Sequence, residues 1–122
     1  MVKKHNFSQM SYLKPFTSTK RNQIVRKRNN ETKFGEAISI LSNHDDIYEQ
    51  LLELDVKFVI FGIAEDIGVF ANLGETGASK AWDVAIKFLL NTQMNDKNNA
   101  DRVLVLGHFE FTDLHNQIKS LD

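Results

Sequence analysis

The chain has 122 residues, 42% of them apolar and 25% charged, with one proline, no cysteine and a formal net charge of −1. That length accommodates one domain rather than two, and the lack of cysteine excludes a disulfide scaffold, thiol catalysis and thiolate zinc sites. No apolar run approaches the ~18 residues that cross a bilayer, and the opening MVKKHNFSQMSYLKPF has lysines without the apolar core of a secretory signal, so a cytoplasmic protein with no membrane partner is expected.

The charge is unevenly spread. Residues 1–33 carry nine Lys and Arg against Glu31 alone, a net of +8, whereas residues 34–122 carry a net of −9. The stretch KRNQIVRKRNN is basic enough to meet nucleic acid or an acidic partner. It has no interleaved aromatic residues and no known nucleic-acid motif, so the favoured expectation is a solvated arm resting on the acidic remainder. Weak periodicity and many polar residues predict that most of residues 1–33 is irregular, a basic N-terminal arm ahead of an α/β portion over 34–122.

The pattern sharpens from Phe34 onward. SNHDDIYEQLLEL reads as a short helix, with Ser42 or Asn43 as cap, Asp45 and Asp46 suited to its positive end, and Ile47, Leu51 and Leu54 on one face. VKFVIFGIA changes period and reads as a strand covered on both faces, as in a parallel sheet. After a glycine-rich loop, ASKAWDVAIKFLLN places Ala78, Ala81, Trp82, Ala85, Ile86, Leu89 and Leu90 on one helical stripe, with Ser79 as cap. TQMNDKNNAD is a return loop, RVLVLGHFEF a second strand, and DLHNQIKSL opens a helix through Leu114, Ile118 and Leu121. Trp82, Phe58, Phe61 and Phe88 follow the periods of their elements and are expected in the core.

The order is helix, strand, helix, strand, helix: a βαβ unit whose crossover should be right-handed. Sheets usually hold about four to six strands, and both edges of a two-stranded pair need cover. The last helix would normally lead to a third strand. The expectation is therefore the N-terminal portion of a larger α/β protein.

Glu65–Gly77 follows the first strand at its carboxyl end, where open α/β sheets hold ligands. It is longer than the usual βα link of about two to six residues. Three of the six glycines, Gly68, Gly74 and Gly77, fall here, as positive φ angles or a close backbone approach would require. The spacing is neither a dinucleotide fingerprint nor a phosphate loop. Glu65 and Asp66 are the carboxylates best placed to face a cleft, capping of the loop's own N–H groups being the equal alternative.

The chain FVIFGIAEDIGVFANLGETGASKAWDVAIKFLLNTQMND, followed by VLVLGHFEF, resembles the N-terminal third of the arginase superfamily of ureohydrolases, and more closely its formimidoylglutamase branch. That branch has a strand ending G-I-P-E-D-I-G, an A-N-x-G-x-x-G-A loop, a helix carrying A-W, a helix end F-L-N-x-Q-x-N and a strand L-G-x-F-D-F. The matching residues are Gly62, Ile63, Glu65, Asp66, Ile67 and Gly68, then Ala71, Asn72, Gly74, Gly77 and Ala78. Ala81–Trp82, Leu90–Asn91 with Gln93 and Asn95, and Leu106–Gly107 with Phe109–Phe111 continue the series. Upstream, ETKFGEAISIL is similar to a segment of the same branch, so the likeness runs from Glu31 to Asp113. Ala64 stands where the branch often has proline, and Glu110 where it often has aspartate.

The resemblance implies a three-layer α/β/α parallel sheet, of which this chain supplies the first βαβ portion. It implies hydrolysis of N-formimidoyl-glutamate to glutamate and formamide, a step of histidine breakdown. In such enzymes two manganese ions lower the pKa of a bridging water, and the hydroxide attacks the amidine carbon. Their ligands lie in G-G-x-H, D-x-H-x-D and D-x-D motifs that this chain does not contain. The chain alone is thus expected to bind no manganese and to be inactive. Glu65, Asp66, Gly68, Asn72, Gly74 and Gly77 would form a cleft-edge loop for the amidine substrate, with Asn72 and its flanking glycines making the contacts. A homo-oligomer is among the expectations.

Other readings of the residues are weaker. GHFEFTDLH holds His108, Glu110, Asp113 and His115, and Asp113-Leu-His115 begins like D-x-H-x-D, but Gln117 takes the last position. Solvated polar residues at a strand end are expected there rather than a metal site. His5 and His44 are isolated, and no Ser–His–Asp arrangement is readable. The alternative to a hydrolase portion is a free-standing interaction module, using its basic arm and pairing strand edges across a two-fold axis. A nucleic-acid binder acting through residues 20–30 is the third reading.

Overall fold

The β-branched and aromatic run FVIFGIA forms strand β2 (Phe58–Ala64), and VLVLGHFE forms strand β3 (Val103–Glu110). The computed structural model, which describes residues 12–43, 45–65, 80–97 and 99–120, pairs them in parallel, Phe58 opposite Val103 and Ala64 opposite Glu110. Helix α4 (Ala81–Leu90) lies between them in the chain. This much follows the expected βαβ unit.

A third strand departs from it. Strand β1 (Leu13–Pro15) runs antiparallel to the far end of β3, with Leu13 opposite Phe109 and Pro15 opposite Gly107. The sheet is mixed, in the order β1-β3-β2, and the expectation of an all-parallel sheet is corrected. So is the irregular arm over Leu13–Ile24. Leu13 and Phe16 are buried, and Thr17 accepts the Lys20 N–H at 3.2 Å to cap helix α1 (Ser18–Ile24). A three-residue strand is too short to show a period in sequence; its burial across β3 makes it a strand.

The β1 side of β3 is completed by Ser39, whose N–H donates to the Val103 carbonyl at 2.8 Å and whose carbonyl accepts from Val105 at 3.2 Å. β3 therefore has hydrogen-bond partners on both sides, as a buried backbone requires. Its side chains alternate between two faces. Val105 joins Phe16, Ile38, Ile86, Leu90 and Ala100 on the α4 face. Leu104 joins Leu13, Leu41 and Ile47 under helix α3 (Ile47–Glu53). Helix α2 (Phe34–Ala37) packs beside α4, and helix α5 (Thr112–Lys119) follows β3. Among the described residues no helix is long and apolar enough to cross a membrane.

Several local expectations shift. Helix α3 begins at Ile47 rather than after Ser42, with Asp46 as its cap residue and no side-chain cap bond. Asn43 instead accepts the Asp45 N–H at 3.0 Å, and the Gln50 carboxamide donates back to the Asn43 carbonyl at 2.8 Å. Those polar residues shape the entry to the helix by competing locally for backbone partners. In α4, Ile86 and Leu90 are buried and Trp82 and Leu89 half-buried, as the stripe predicts, but Ala81 and Ala85 are exposed. Lys80 takes the cap position, and Ala78 and Ser79 lie outside the described residues. Leu114 is exposed, Ile118 half-buried and Leu121 outside the described residues.

The largest correction concerns β2, which is not covered on both faces. Ile60 packs toward α4, whereas Phe58, Val59, Phe61 and Ile63 are exposed, Phe61 at 51% and Ile63 at 64%. Among the described residues β2 is an edge strand, and α3 sits over Leu104 and Leu41 rather than over it. Phe88, at 80% exposed, is not core either. A rise of one helical turn from Val84 sets it on the solvent side of α4, opposite Ile86 and Leu90.

Candidate functional site

The carboxyl ends of β2 and β3 lie side by side because the two strands are parallel and in register there. Gly62 stands opposite His108, and Ala64 opposite Glu110. Gly62 leaves room for an indole: a Cβ on it would overlap Trp82 Cε3 and fall 2.9 Å from Cδ2. Trp82, from the first turn of α4, stacks on the His108 ring, with centroids 5.6 Å apart and planes inclined by 28°. A strand period of two sets His108 and Glu110 on one face, and His108 Nε2 lies 2.6 Å from Glu110 Oε1.

The expectation of solvated polar residues at this strand end is therefore corrected for His108, which is 9% exposed. An ionised carboxylate only accepts, so the contact calls for a proton on Nε2. Such a pair can orient and hold a proton. By itself it supplies no nucleophile, and among the described residues no three His, Asp or Glu side chains gather as a metal site. The side chains of Asp113 and His115 lie outside what the structure describes.

Of the sequence-predicted loop, Glu65 directly follows β2 and is half-buried. Asp66, Gly68, Asn72, Gly74 and Gly77 lie outside the described residues, as do His5 and His44. The structure thus brings Glu65 to the same sheet end as Trp82, His108 and Glu110. The Trp82–His108 stack carried no signal in the sequence, since the two residues belong to different elements and different periods.

A second polar centre sits at the other end of α4, around Asn91. Its Oδ1 accepts from the Arg26 N–H at 2.9 Å and from Lys33 Nζ at 3.1 Å. Its Nδ2 donates to the carbonyls of Ile24 at 3.0 Å and Lys87 at 2.9 Å. One side chain so ties the segment after α1 to the end of α4. Asn91→Ala should lower the unfolding free energy by about 2 kcal/mol, since it strips partners from a half-buried network. Urea denaturation followed by tryptophan fluorescence measures this, and a change below about 0.5 kcal/mol, the range of ordinary surface substitutions, would show that the network is not formed. Lys33, 6% exposed, was not marked out by the sequence, because nothing in a basic run distinguishes the lysine that folds inward.

No family model, curated protein or solved structure matches this chain.

Proposed function

We propose that these residues form the N-terminal portion of a cytoplasmic, three-layer, arginase-like ureohydrolase of the formimidoylglutamase type, which hydrolyses N-formimidoyl-glutamate to glutamate and formamide. One observation carries the reading. Gly62 and Trp82, which belong to separate motifs of the resemblance, meet with His108 and with Glu110, which stands where the branch often has aspartate, at the carboxyl ends of two neighbouring parallel strands. That end of a parallel sheet is where such folds place their chemistry. Glu65 opens the loop that leaves the same end.

The uncovered apolar side of β2 supports the same reading. Phe61 and Ile63 form a surface of the kind that packs against further protein. In a larger sheet they would meet the next strand and its helices.

The described residues do not fit a two-manganese centre, since His108 and Glu110 are bonded to each other and no third ligand joins them. In this reading the ions are held by the rest of the polypeptide. The present residues supply strands and the cleft-edge loop, with Asn72, Gly74 and Gly77 against the amidine and Glu65 and Asp66 at its rim.

The natural polypeptide that carries this sequence, purified and loaded with manganese, should release formamide from N-formimidoyl-L-glutamate. Residues 1–122 expressed alone should release none. Absence of turnover by the natural polypeptide on any linear amidine or guanidine rejects the hydrolase reading and leaves the β2 surface as the contact face of an interaction module. Turnover by the short chain alone rejects its role as one portion of a larger site.

A further inference from the structure

We infer that the groove between residues 26–33 and the outer side of α4 binds a nucleotide, free or as a unit of a single strand, with its phosphate at Lys33 and its base on Phe88. The groove encloses about 850 Å3. Arg26, Arg28 and Lys33 line one wall, and Lys87, Phe88 and Asn91 the other. Neither His108 nor Glu110 lines it, and it does not depend on the hydrolase reading.

Lys33 is the starting point. An ammonium group has three donors to satisfy, and a buried charge is ordinarily paired. Lys33 is 6% exposed, yet its ammonium meets only a neutral amide oxygen, Asn91 Oδ1. That oxygen is already shared with the Arg26 N–H. The nearest carboxylate in sequence, Glu36, is turned to the Lys33 backbone N–H at 2.7 Å and not to its ammonium. Among the described residues no carboxylate pairs with Lys33, so a buried cation lines a groove with donors to spare.

The remaining charges select the ligand. Arg26, Arg28 and Lys87 add three cations, and only Glu31 and Asp83 oppose them in the lining. Arg28 is ion-paired with Glu31 through Nε at 3.8 Å, but its side chain is 75% exposed, so the solvated end of its guanidinium fork can turn to an oxyanion. Such a surplus suits a multiply charged phosphate better than a single carboxylate. The ligand also needs a flat apolar part. Phe88 presents its ring at 80% exposure on the same groove, the kind of platform on which a base stacks. In sequence, KRNQIVRKRNN lacks the interleaved aromatic residue that a nucleic-acid site requires; folding supplies one from α4.

Titration calorimetry of the 122-residue chain at low salt, with AMP, adenosine, inorganic phosphate and a short single-stranded oligothymidylate, tests the assignment. AMP should bind, adenosine should not, and inorganic phosphate should bind about tenfold more weakly than AMP, because it forgoes the stacking contribution. Arg28→Gln should weaken AMP about tenfold through loss of a charge-assisted contact. Phe88→Ala should weaken AMP by about the same factor and leave inorganic phosphate unchanged. Lys33→Gln should abolish AMP binding; if that variant does not fold, the two exposed variants decide. Oligothymidylate binding that is tighter than AMP and falls steeply with salt assigns the single strand as the source, whereas equal affinity assigns the free nucleotide. The inference is overturned if no phosphate-bearing probe binds, if adenosine binds as well as AMP, or if Arg28→Gln and Phe88→Ala both bind AMP like the parent.

Discussion

Gly107→Ala should unfold the domain, or at least lower its stability by about 3 kcal/mol or more, because overpacking and a forced backbone conformation act together. β3 carries an irregularity here: Ile60 pairs with Val105 and Phe61 with Gly107, so Leu106 is an extra residue. Gly107 adopts φ +141, a region that side-chain-bearing residues rarely enter. An added Cβ would overlap the Lys14 carbonyl oxygen and fall 2.9 Å from Phe16 N and 3.0 Å from Pro15 Cα. All three obstacles are backbone, so no side-chain rotation relieves them. β1 would have to lift, and Phe16, whose N–H donates to the Leu106 carbonyl at 3.0 Å, would leave with it. Leu13 and Phe16 belong to the two separate cores, so the loss reaches both faces of the sheet. Circular dichroism during urea denaturation reads the result. An unchanged midpoint would mean that β1 does not lie over Gly107.

Leu90→Ala should cost about 2–5 kcal/mol, the range for truncating a fully buried leucine whose surroundings collapse only in part. Against a typical domain stability of about 5–15 kcal/mol, that removes a large share of the total. Leu90 is 0% exposed and packs among Phe16, Ile38, Ile86, Ala100 and Val105. It also immediately precedes Asn91, so a cavity there would loosen the wall of the cationic groove as well as the core. Phe88→Ala, two residues earlier and on the solvent side, should change stability by less than about 0.5 kcal/mol. Thermal unfolding of the two variants side by side measures the contrast. Equal shifts would mean that α4 presents a different face to the sheet.

The order β2–α4–β3 and the buried stripe of α4 were legible in the amino-acid sequence, because a continuous apolar run and a 3.6-residue period are properties of neighbouring residues. Leu90 and Ile86 are buried as that period predicts, whereas Ala81 and Ala85 of the same stripe are exposed. What tertiary structure decided involves partners far apart in the chain. β1 is a strand only because Gly107, some ninety residues later, lets it approach β3. Phe61 and Phe88 read as core, since their hydrophobicity is local, but their exposure depends on which faces α3 and α4 cover. Trp82 meets His108 through the missing side chain of Gly62, and Lys33 turns inward because Asn91 waits there. Periodicity specifies which elements form; the space that one element leaves for another specifies where charge and aromatic rings come together.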